Sequence, residues 1–514
     1  MNIEEIIEEL NRRKEELQLG GGQERLDRQH ESGSLSARER ISALVDQDSF
    51  QEAGLFAKHR CSLFGMADKE MPAEGVVTGA GTISGRLVHL ASQDFTVGGG
   101  AAGEVHCAKI VQMMQASMKT GSPFVFINDS GGARIQEGID SLSGYGKVFY
   151  HNVMLSGVVP QISLICGPCA GGAVYSPALT DFIIQTKAAR MFITGPSVIK
   201  AVTGEVVTAE ELGGPAAQMN ISGVVHFIAE DDLDAINICK RLLSFLPSNN
   251  MEDPPQWEAD EVIHPDKRLN TVVPLDPKQS YDVREVIGHV MDRGDFLEVQ
   301  PSFAPNIVIG FARLQGRPVG VVANQPSVMA GVLDINASDK AARFIRFCNA
   351  FNMPLITFVD VPGFLPGVQQ EYGGIIRHGA KMLFAYSAAT VPKLTVVLRK
   401  AYGGAYLAMC GKDLDADRVI SWPSAEIAVM GAEGAVDVIF RNEIKAAADP
   451  AARRRELIKE YRETFATPYA AAARFQVDDI IEPAETRRYL AMALDILHSK
   501  RELRPQKKHG LIPL

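Results

Sequence analysis

The second half of this sequence repeats landmarks of the first half at a nearly constant spacing. Pro123 corresponds to Pro354 and Asp129 to Asp360, each at an offset of 231 residues (354 − 123 and 360 − 129). The other matches are Gly85-Arg86 with Gly316-Arg317 at the same offset, and Pro160 with Pro392, Gly171-Gly172-Ala173 with Gly403-Gly404-Ala405 and Asp181 with Asp413 at an offset of 232. Such an ordered set indicates duplication of a domain of roughly 230 residues. The 514-residue chain is therefore expected to fold as two similar halves.

Short apolar runs in each half stop at glycines from which a helical pattern departs. In the first half, the run 124–128 precedes Asp129-Ser130-Gly131-Gly132, and the run 160–165 leads to Gly171-Gly172. A strand, a tight glycine turn and a helix start leave backbone N–H groups without partners, and glycine lets a ligand approach them closely. Two such turns side by side can hold a developing oxyanion. Strands and helices alternate in both halves, which predicts an α/β fold.

Further elements frame these turns. Residues 1–20 form an acidic amphipathic pattern, and Ser36 with Glu39 three residues later predicts a capping box at a helix start. Other predictions are paired strands at 75–79 and 86–91, helices at about 103–119 and 230–246, and a proline-rich linker at 247–277. We therefore predict two domains, residues 1–258 and 259–514.

Charge and cysteine content limit the partners and the compartment. The net charge is −10 without a long basic block, which argues against nucleic acid as a partner. No apolar run approaches the roughly 18 residues that a membrane-spanning helix needs. The seven cysteines are odd in number and scattered, as in a reduced cytosolic protein. The sequence thus predicts a cytoplasmic protein that does not insert into a membrane.

Two motifs suggest other chemistry. Cys166-Gly167-Pro168-Cys169 has the spacing of a thioredoxin-type redox pair, but the corresponding residues of the second half, 398–401, contain no cysteine. The spacing of Gly98, Gly100 and Gly103 resembles a dinucleotide fingerprint, but Gln325-Pro326-Ser327 stands in its place in the second half. A redox site is therefore disfavoured, and the glycine turn is expected to be approached closely by a ligand or by another part of the chain.

No acid, base or metal site stands out. Asp129-Ser130-Gly131-Gly132 mimics a serine-protease loop, but the repeat has Val361 in place of Ser130, and the fold class does not suit such a protease. A capped turn and a ligand-binding turn remain open for this loop. The eleven histidines lack metal-ligand spacing, so no metal is predicted. A glycine-rich oxyanion site without a base suits stabilisation of an enolate by backbone N–H groups.

Long motifs in both halves resemble one enzyme family. They are residues 129–137, 167–177, 358–367, 371–381, 399–406 and the terminal Ile512-Pro513-Leu514. They are similar to carboxyltransferase (β) subunits of biotin-dependent acyl-CoA carboxylases over nearly the whole chain from Ala37 onward. The likeness is greatest to propionyl-CoA carboxylase β chains and to the α subunits of methylmalonyl-CoA decarboxylases. The resemblance implies two tandem duplicated crotonase-like domains in a ring-like hexamer, with each active site between the N-domain of one chain and the C-domain of another.

The resemblance also implies a role for each glycine turn. The N–H groups of Gly171 and Gly172 would hold the thioester oxygen as an enolate forms, and those of Gly404 and Ala405 would polarise the ureido carbonyl of biotin. Residues expected to contact the acyl-CoA are Ser130, Gly131, Gly132, Ala133, Tyr406 and Leu407. Residues 1–258 would thus bind the acyl-CoA and residues 259–514 the biotin, which a partner subunit carries because this chain has no biotin-attachment segment.

Three positions depart from the family pattern. Pro215 and Gln218 stand where the family usually has Ala and His, which affects the expected local architecture of the site. Leu407 stands where related propionyl-CoA carboxylases often have Asp near the acyl pocket, and decarboxylase-type subunits share this apolar choice. An apolar residue at this place should change which acyl chain fits.

The leading hypothesis is a carboxyltransferase that moves a carboxyl group between carboxybiotin and propionyl-CoA or methylmalonyl-CoA. Its expected partners are a biotin carboxyl carrier protein and a biotin carboxylase subunit. Alternatives within the family are the α subunit of a sodium-pumping methylmalonyl-CoA decarboxylase, with membrane decarboxylase subunits as partners, and a transcarboxylase subunit. Outside it, the alternatives are a biotin-independent crotonase-type enzyme and a CoA-binding scaffold.

Overall fold

Two mixed β-sheets with the same strand order form the framework of the protein. The structure is a computed structural model that describes residues 2–259 and 262–514. Contacts divide the chain into two units, Met1–Glu252 and Asp253–Leu514, and each unit contains one of the sheets. The predicted α/β fold with two similar halves is confirmed. The acyl-CoA role of residues 1–258 and the biotin role of residues 259–514 stay predictions.

The first unit has a central sheet covered by helices. Its strands are β1 Gln51–Ala53, β2 Val76–Ile83, β3 Arg86–Gln93, β4 Phe124–Ser130, β5 Gln161–Ala170, β6 Phe182–Thr186, β7 Arg190–Phe192 and β8 Phe227–Ala229. Its helices are α1 Ile3–Gln18, α2 Gln23–Glu31, α3 Ala37–Leu44, α4 Glu104–Thr120, α5 Ile139–Leu155, α6 Tyr175–Leu179, α7 Pro196–Thr203, α8 Ala209–Gly213 and α9 Asp232–Leu243. The predicted helices and the predicted strand pair all fall on these elements.

The order of the first sheet is β1-β2-β3-β4-β5-β6-β8, with β7 beside the end of β5. Strands β1 to β3 are antiparallel, and β3 onward run parallel. Ser84 and Gly85 join β2 to β3 with positive φ angles of 50° and 76°, as a type I′ hairpin turn requires. Ser36 and Glu39 form the predicted capping box of α3. The carboxyl ends of β4 and β5, where ligands bind in parallel sheets, thus lie side by side.

The second unit repeats this plan. Its strands are β9 Phe296–Val299, β10 Ile307–Leu314, β11 Arg317–Asn324, β12 Leu355–Val361, β13 Lys393–Tyr402, β14 Arg418–Ser421, β15 Glu426–Ala428 and β16 Asp479–Ile480. Its helices are α10 Leu269–Val272, α11 Val283–Val290, α12 Ile335–Ala350, α13 Val368–Gly373, α14 Ile375–Ala388, α15 Gly403–Ala408, α16 Ala432–Ile439, α17 Arg441–Ala446, α18 Pro450–Phe465, α19 Pro468–Ala472 and α20 Thr486–Leu497. The sheet order is β9-β10-β11-β12-β13-β14-β16, with β15 beside β13.

One predicted pair of equivalent residues is wrong. Asp181 accepts a hydrogen bond from the backbone N–H of Gln161 at 2.8 Å. In the second unit the same contact, also 2.8 Å long, joins Asp417, not Asp413, to the N–H of Lys393. The offset therefore grows from 232 to 236 (417 − 181), because the segment before β14 is four residues longer than its counterpart (236 − 232). An identity by chance at Asp413 hid this insertion.

Each unit buries one lysine against backbone carbonyls at equivalent positions. The Nζ of Lys109 donates to the carbonyl oxygens of Ala73 at 2.6 Å and Val76 at 2.5 Å. Lys340, 231 residues later, donates to four carbonyl oxygens, the shortest bond being 2.7 Å to Phe303. Burial lowers the pKa of Lys109 to about 8 and that of Lys340 to about 7. Each lysine therefore stabilises the backbone segment that leads into a strand, β2 in the first unit and β10 in the second.

Replacing Lys340 by Met is expected to flatten the pH dependence of stability. Because the pKa of Lys340 falls from 10.5 to about 7 on folding, the unfolded chain binds more protons between these values. The free energy of unfolding of the wild type therefore rises with pH across this window, and the contribution is lost as pH falls through 7. Urea midpoints from about pH 6.5 to 9 measure this slope. An unchanged slope in Lys340→Met, with the exposed Lys119→Met as control, would contradict the assignment.

Candidate active site

The first glycine turn follows β5 directly. Gly171 has a φ of +63°, a conformation that favours glycine, and begins the helical turn Gly171–Val174 before α6. The N–H groups in a first helical turn have no acceptor within the helix. A side chain at Gly171 would meet no atom within 4 Å, and one at Gly172 would meet only the Tyr145 ring, at 3.9 Å. The turn is therefore open enough for a ligand to reach its backbone.

The second glycine turn repeats this geometry after β13. Gly403 has a φ of +57°, close to that of Gly171, and begins α15. A side chain at Gly404 would meet no atom within 4 Å. Ala405, the next residue, is buried. Each unit therefore ends its fifth strand in a turn of the same conformation, whose first N–H groups can hold a partly negative oxygen.

Residues Ser130 to Ala133 form a loop tied to the glycine turn 98–100. The Ser130 hydroxyl donates to the Gly100 carbonyl at 2.6 Å and accepts from the Gly132 N–H at 3.1 Å. The Gly131 N–H donates to the Gly99 carbonyl at 2.9 Å. Ser130 and Gly132 are buried, whereas Gly131 and Ala133 are exposed. The buried serine is thus engaged in holding the loop, and the exposed residues face outward.

The glycines 98–100 are approached by the chain itself, one of the two outcomes expected for them. A side chain at Gly100 would stand 2.1 Å from the Asp129 carbonyl oxygen. A short parallel bridge joins Ala102 to Ala133, and an equivalent bridge joins Leu333 to Phe364 in the second unit. The duplication therefore preserves the cross-link that shapes this loop.

Arg134 holds the end of the same loop through buried ion pairs, and the sequence analysis did not predict this role. Its guanidinium contacts Glu74 at 2.8 Å and Glu137 at 2.6 Å, and all three side chains are buried. Glu137 also accepts from the N–H of Glu104 at the start of α4 at 2.7 Å. Glu74 lies 60 residues before Arg134, so sequence spacing gave no signal for this contact.

Asp129, at the end of β4, belongs to a buried ion network. Arg40 of α3 lies 2.8 Å from Asp129 and 2.8 Å from Asp232, and its side chain is fully buried. Burial raises the pKa of Asp129, and the Arg40 guanidinium opposes this rise. In the second unit Asp360 replaces Asp129, but its partner is Arg399 of β13 at 3.0 Å. The repeated carboxylate thus takes its cation from a different part of each unit.

The cysteine pair does not have the features of a redox centre. Cys166 and Cys169 are buried, and burial raises the pKa of Cys169 to about 12 and that of Cys166 well above its usual value. A reactive thiol needs the opposite shift and exposure. The only half-exposed cysteine among the described residues is Cys61, whose Sγ lies 3.5 Å from the Gln136 carbonyl oxygen.

The two acyl-pocket candidates of the second unit differ in exposure. Tyr406 is buried, and its ring faces Gly411, where a side chain would stand 3.2 Å from the ring. Leu407 is 37% exposed. Of the pair, only Leu407 presents a substantial surface within its unit.

A cavity of about 590 Å³ lies in the first unit beside the glycine turn 98–100 and Gly167 of β5, and sequence inspection missed it. Its lining includes Arg25 and Arg28 of α2, Gly98, Gly99, Gly167 and Pro168. Arg25 donates to the Thr96 carbonyl at 2.8 Å, and Arg28 pairs with Glu24 at 2.5 Å on the same helix. Two guanidinium groups beside exposed glycine backbone suit an anionic ligand of extended shape.

The known sequences similar to this chain include subunits of enzymes that are named for methylmalonyl-CoA or propionyl-CoA. Residues 28–512 match the family model described as carboxyl transferase domain. The chain is 63% identical over 511 residues to the methylmalonyl-CoA carboxyltransferase 12S subunit of Propionibacterium freudenreichii subsp. shermanii, covering 99% of this chain and 98% of that one. It is 57% identical to methylmalonyl-CoA decarboxylase subunit alpha of Veillonella parvula, covering 100% and 99%. Identity to the propionyl-CoA carboxylase beta chain of Roseobacter denitrificans is 53%, covering 100% of both chains.

Solved structures agree with the sequences. A transcarboxylase 12S crystal structure, described as a hexamer assembly with methylmalonyl-coenzyme A and methylmalonic acid bound, gives a TM-score of 0.99 at 63% identity. The match covers 100% of this chain and 99% of that one. A single-chain, multi-domain long-chain acyl-CoA carboxylase gives a TM-score of 0.82 at 29% identity, over 95% of this chain and 48% of that one. The predicted pair of duplicated crotonase-like domains is confirmed by this likeness.

Proposed function

The chain belongs to the carboxyl transferase domain family, and from that premise we propose that it moves a carboxyl group between carboxybiotin and propionyl-CoA or methylmalonyl-CoA. It is an acyl-CoA carboxyltransferase of the biotin-dependent kind. The observation that carries the choice of substrates is the identity of 63% to a methylmalonyl-CoA carboxyltransferase, with nearly complete coverage of both chains.

The open backbone of the two glycine turns supports an oxyanion-binding role for each of them. The N–H groups at Gly171 and Gly172 would hold the thioester oxygen, and charge that develops there on loss of the α-proton is stabilised by these fixed dipoles. The space at the Gly404 Cα is open, because a side chain there would meet no atom within 4 Å, and this supports the approach of a planar ureido group to the backbone. Gly404 and Ala405 would polarise its carbonyl. Biotin, when bound, supplies the carboxyl group and takes up the proton.

Acyl-CoA contacts follow from the same arrangement. Gly131 and Ala133 are exposed, whereas the buried Ser130 and Gly132 stabilise the loop through the hydrogen bonds of the Ser130 hydroxyl. Tyr406 would support the second turn from its buried position, and Leu407 would border the acyl group. The apolar Leu407 suits the methyl group of propionyl and methylmalonyl chains, because apolar surface is best covered by apolar surface.

Within the family, the partner subunits decide the net reaction. An ATP-driven carboxylase component fits the 53% identity to a propionyl-CoA carboxylase beta chain. A transcarboxylase subunit, the second candidate, is favoured by the higher identity of 63%, and a decarboxylase α subunit by 57%. All three roles need a biotin-bearing partner, and we expect a homo-hexamer like that of the 12S structure.

The cellular setting follows from less direct observations. None of the helices in the described part of the chain is both long and apolar enough to cross a membrane. The described cysteines are free, as expected in a reducing compartment. We propose that the protein acts in the cytoplasm, where a biotin carboxylase subunit would reach it.

A direct assay tests the reaction. Purified protein is mixed with methylmalonyl-CoA and free biotin or biocytin, and formation of propionyl-CoA is followed. Turnover that requires biotin is the expected result. Turnover of an enoyl-CoA without biotin would favour a crotonase-type enzyme, and CoA binding without any turnover would favour a scaffold.

The arginine-lined cavity is expected to hold the phosphate-bearing end of CoA. Arg28→Ala should raise KM for methylmalonyl-CoA by roughly fivefold to tenfold and leave kcat unchanged, because the lost contact is the same in ground and transition states. The effect should shrink with the thioester of dephospho-CoA if Arg28 contacts the 3′-phosphate. Arg12→Ala is a matched control, since Arg12 is also an exposed, glutamate-paired arginine on a nearby helix. Equal KM values for Arg28→Ala and wild type would contradict this placement.

A further inference from the structure

The segment after α8 packs on the short strand that borders the first glycine turn. Strand β7 pairs with the last residues of β5, Met191 opposite Cys169 and Phe192 opposite Ala170. Gly171 follows immediately, so β7 is the outer neighbour of the chain that enters the turn. A strand of three residues has few hydrogen bonds of its own and depends on what packs behind it.

Three contacts join β7 to residues of α8 and the segment that follows it. Arg190 forms an ion pair with Glu210 of α8. Gly213, the last residue of α8, packs so closely on Met191 that a side chain there would stand 2.4 Å from the Met191 carbonyl oxygen. Gln218 supplies the third contact, since its Nε2 donates to that same carbonyl oxygen at 2.8 Å.

Gln218 lies in a π-helical turn, Ala217–Ile221, a form that is rare and often found at functional sites. Its Oε1 accepts from the Ser222 hydroxyl at 2.7 Å, which directs the amide nitrogen towards Met191. Pro215 begins the helical turn that leads into this segment, where its missing N–H costs nothing. The two departures from the family pattern therefore form one consistent local structure.

We propose that Gln218 is a positioning residue for the first oxyanion turn. By fixing the Met191 carbonyl it holds β7 against β5, and through β5 it sets where the N–H groups of Gly171 and Gly172 point. It acts through β7 and touches no reacting atom. This inference rests on the proposed function, because it assigns a purpose to the same turn.

The expected signature is a loss of turnover without a loss of binding. Gln218→Met keeps the length of the side chain and removes the donor, so kcat should fall by roughly fivefold to tenfold while KM for methylmalonyl-CoA stays within about twofold. Gln218→His, which restores a neutral N–H donor, should recover most of the turnover. Ser222→Ala removes the hydroxyl that orients the Gln218 amide but leaves the amide donor in place, so it should lower kcat less than Gln218→Met.

Hydrogen exchange provides a readout that does not depend on activity. In Gln218→Met, amides of residues 168–176 should exchange faster than in the wild type, whereas those of the equivalent second turn, 400–408, should not change. An unchanged exchange rate at 168–176, or equal kcat in Gln218→Met and wild type, would overturn the positioning role. Absence of turnover in the wild type would instead speak against the proposed function, and the exchange measurement would still decide the role of Gln218.

Discussion

Gly404→Val is expected to fold like the wild type and to lose at least about a hundredfold in biotin-dependent carboxyl transfer. The fold should survive because a side chain at Gly404 would meet no atom within 4 Å, and the backbone there does not have a positive φ. Activity should fail because the new methyl groups occupy the space through which a ligand reaches the N–H groups. Steady-state kinetics with varied biotin, together with a melting temperature, measure both parts.

A companion variant separates the roles of the two turns. Gly172→Ala should raise KM for methylmalonyl-CoA or lower kcat without affecting KM for biotin, whereas Gly404→Val should act first on biotin. Gly288→Val is a matched control, since Gly288 in α11 also has open space where a side chain would stand. If Gly404→Val retained full turnover, or weakened only acyl-CoA binding, the assignment of biotin to the second turn would fail.

Arg40→Met is expected to destabilise the protein by about 3–5 kcal/mol, because it leaves two buried carboxylates without their cation. Asp129 and Asp232 each lie 2.8 Å from the fully buried guanidinium, and Met fills a similar volume without supplying charge. The melting temperature measured by calorimetry should therefore fall. Arg399→Met is the matched variant in the second unit. The electrostatic part of its cost should be smaller, because it leaves one buried carboxylate without a cation instead of two, and Asp360 keeps a hydrogen bond from the Lys400 N–H at 3.0 Å. Three carbonyl oxygens, those of residues 274, 276 and 279, lose a donor in addition.

The loss of unfolding free energy in Arg40→Met should increase as pH rises. Without Arg40, burial raises the folded-state pKa of Asp129 unopposed, above the unfolded value of 3.8. A group with a raised folded pKa favours the folded state below the unfolded pKa and loses that contribution as pH rises through the folded pKa. The difference from wild type should thus be smallest near pH 4 and should grow as pH rises above it. A deficit that is constant with pH would mean that the carboxylates find other partners.

Local patterns in the sequence were sufficient for much of the fold. The hydrophobic runs before Gly131 and Gly171 became β4 and β5, and the Ser36–Glu39 spacing became a capping box, since these features depend on neighbouring residues. The repeat of Gly171 at Gly403 correctly predicted a second glycine turn, and the φ angles of the two glycines, +63° and +57°, are close. Where residue type and spacing determine the outcome, the sequence was sufficient.

Contacts between distant residues were not predictable in this way. Arg40 meets Asp129 across 89 residues, and Lys340 finds its carbonyl acceptors 33 to 40 residues earlier. No local pattern marks such partners, because only the assembled sheet brings them together. The Asp413 error has the opposite cause, since an identical residue at the expected spacing concealed a shift in register. The cavity beside Arg25 was missed because its walls come from separate segments.

The distribution of thiols provides a natural point of attachment for a reporter group. Six of the seven cysteines are buried, so a maleimide dye added to the native protein should react at Cys61 alone. The Sγ of Cys61 lies 3.5 Å from the carbonyl oxygen of Gln136, which is six residues after Ser130 in the chain. A fluorophore there would respond when an acyl-CoA settles on the loop. Ligand arrival could then be timed in the unaltered sequence, without first removing other cysteines.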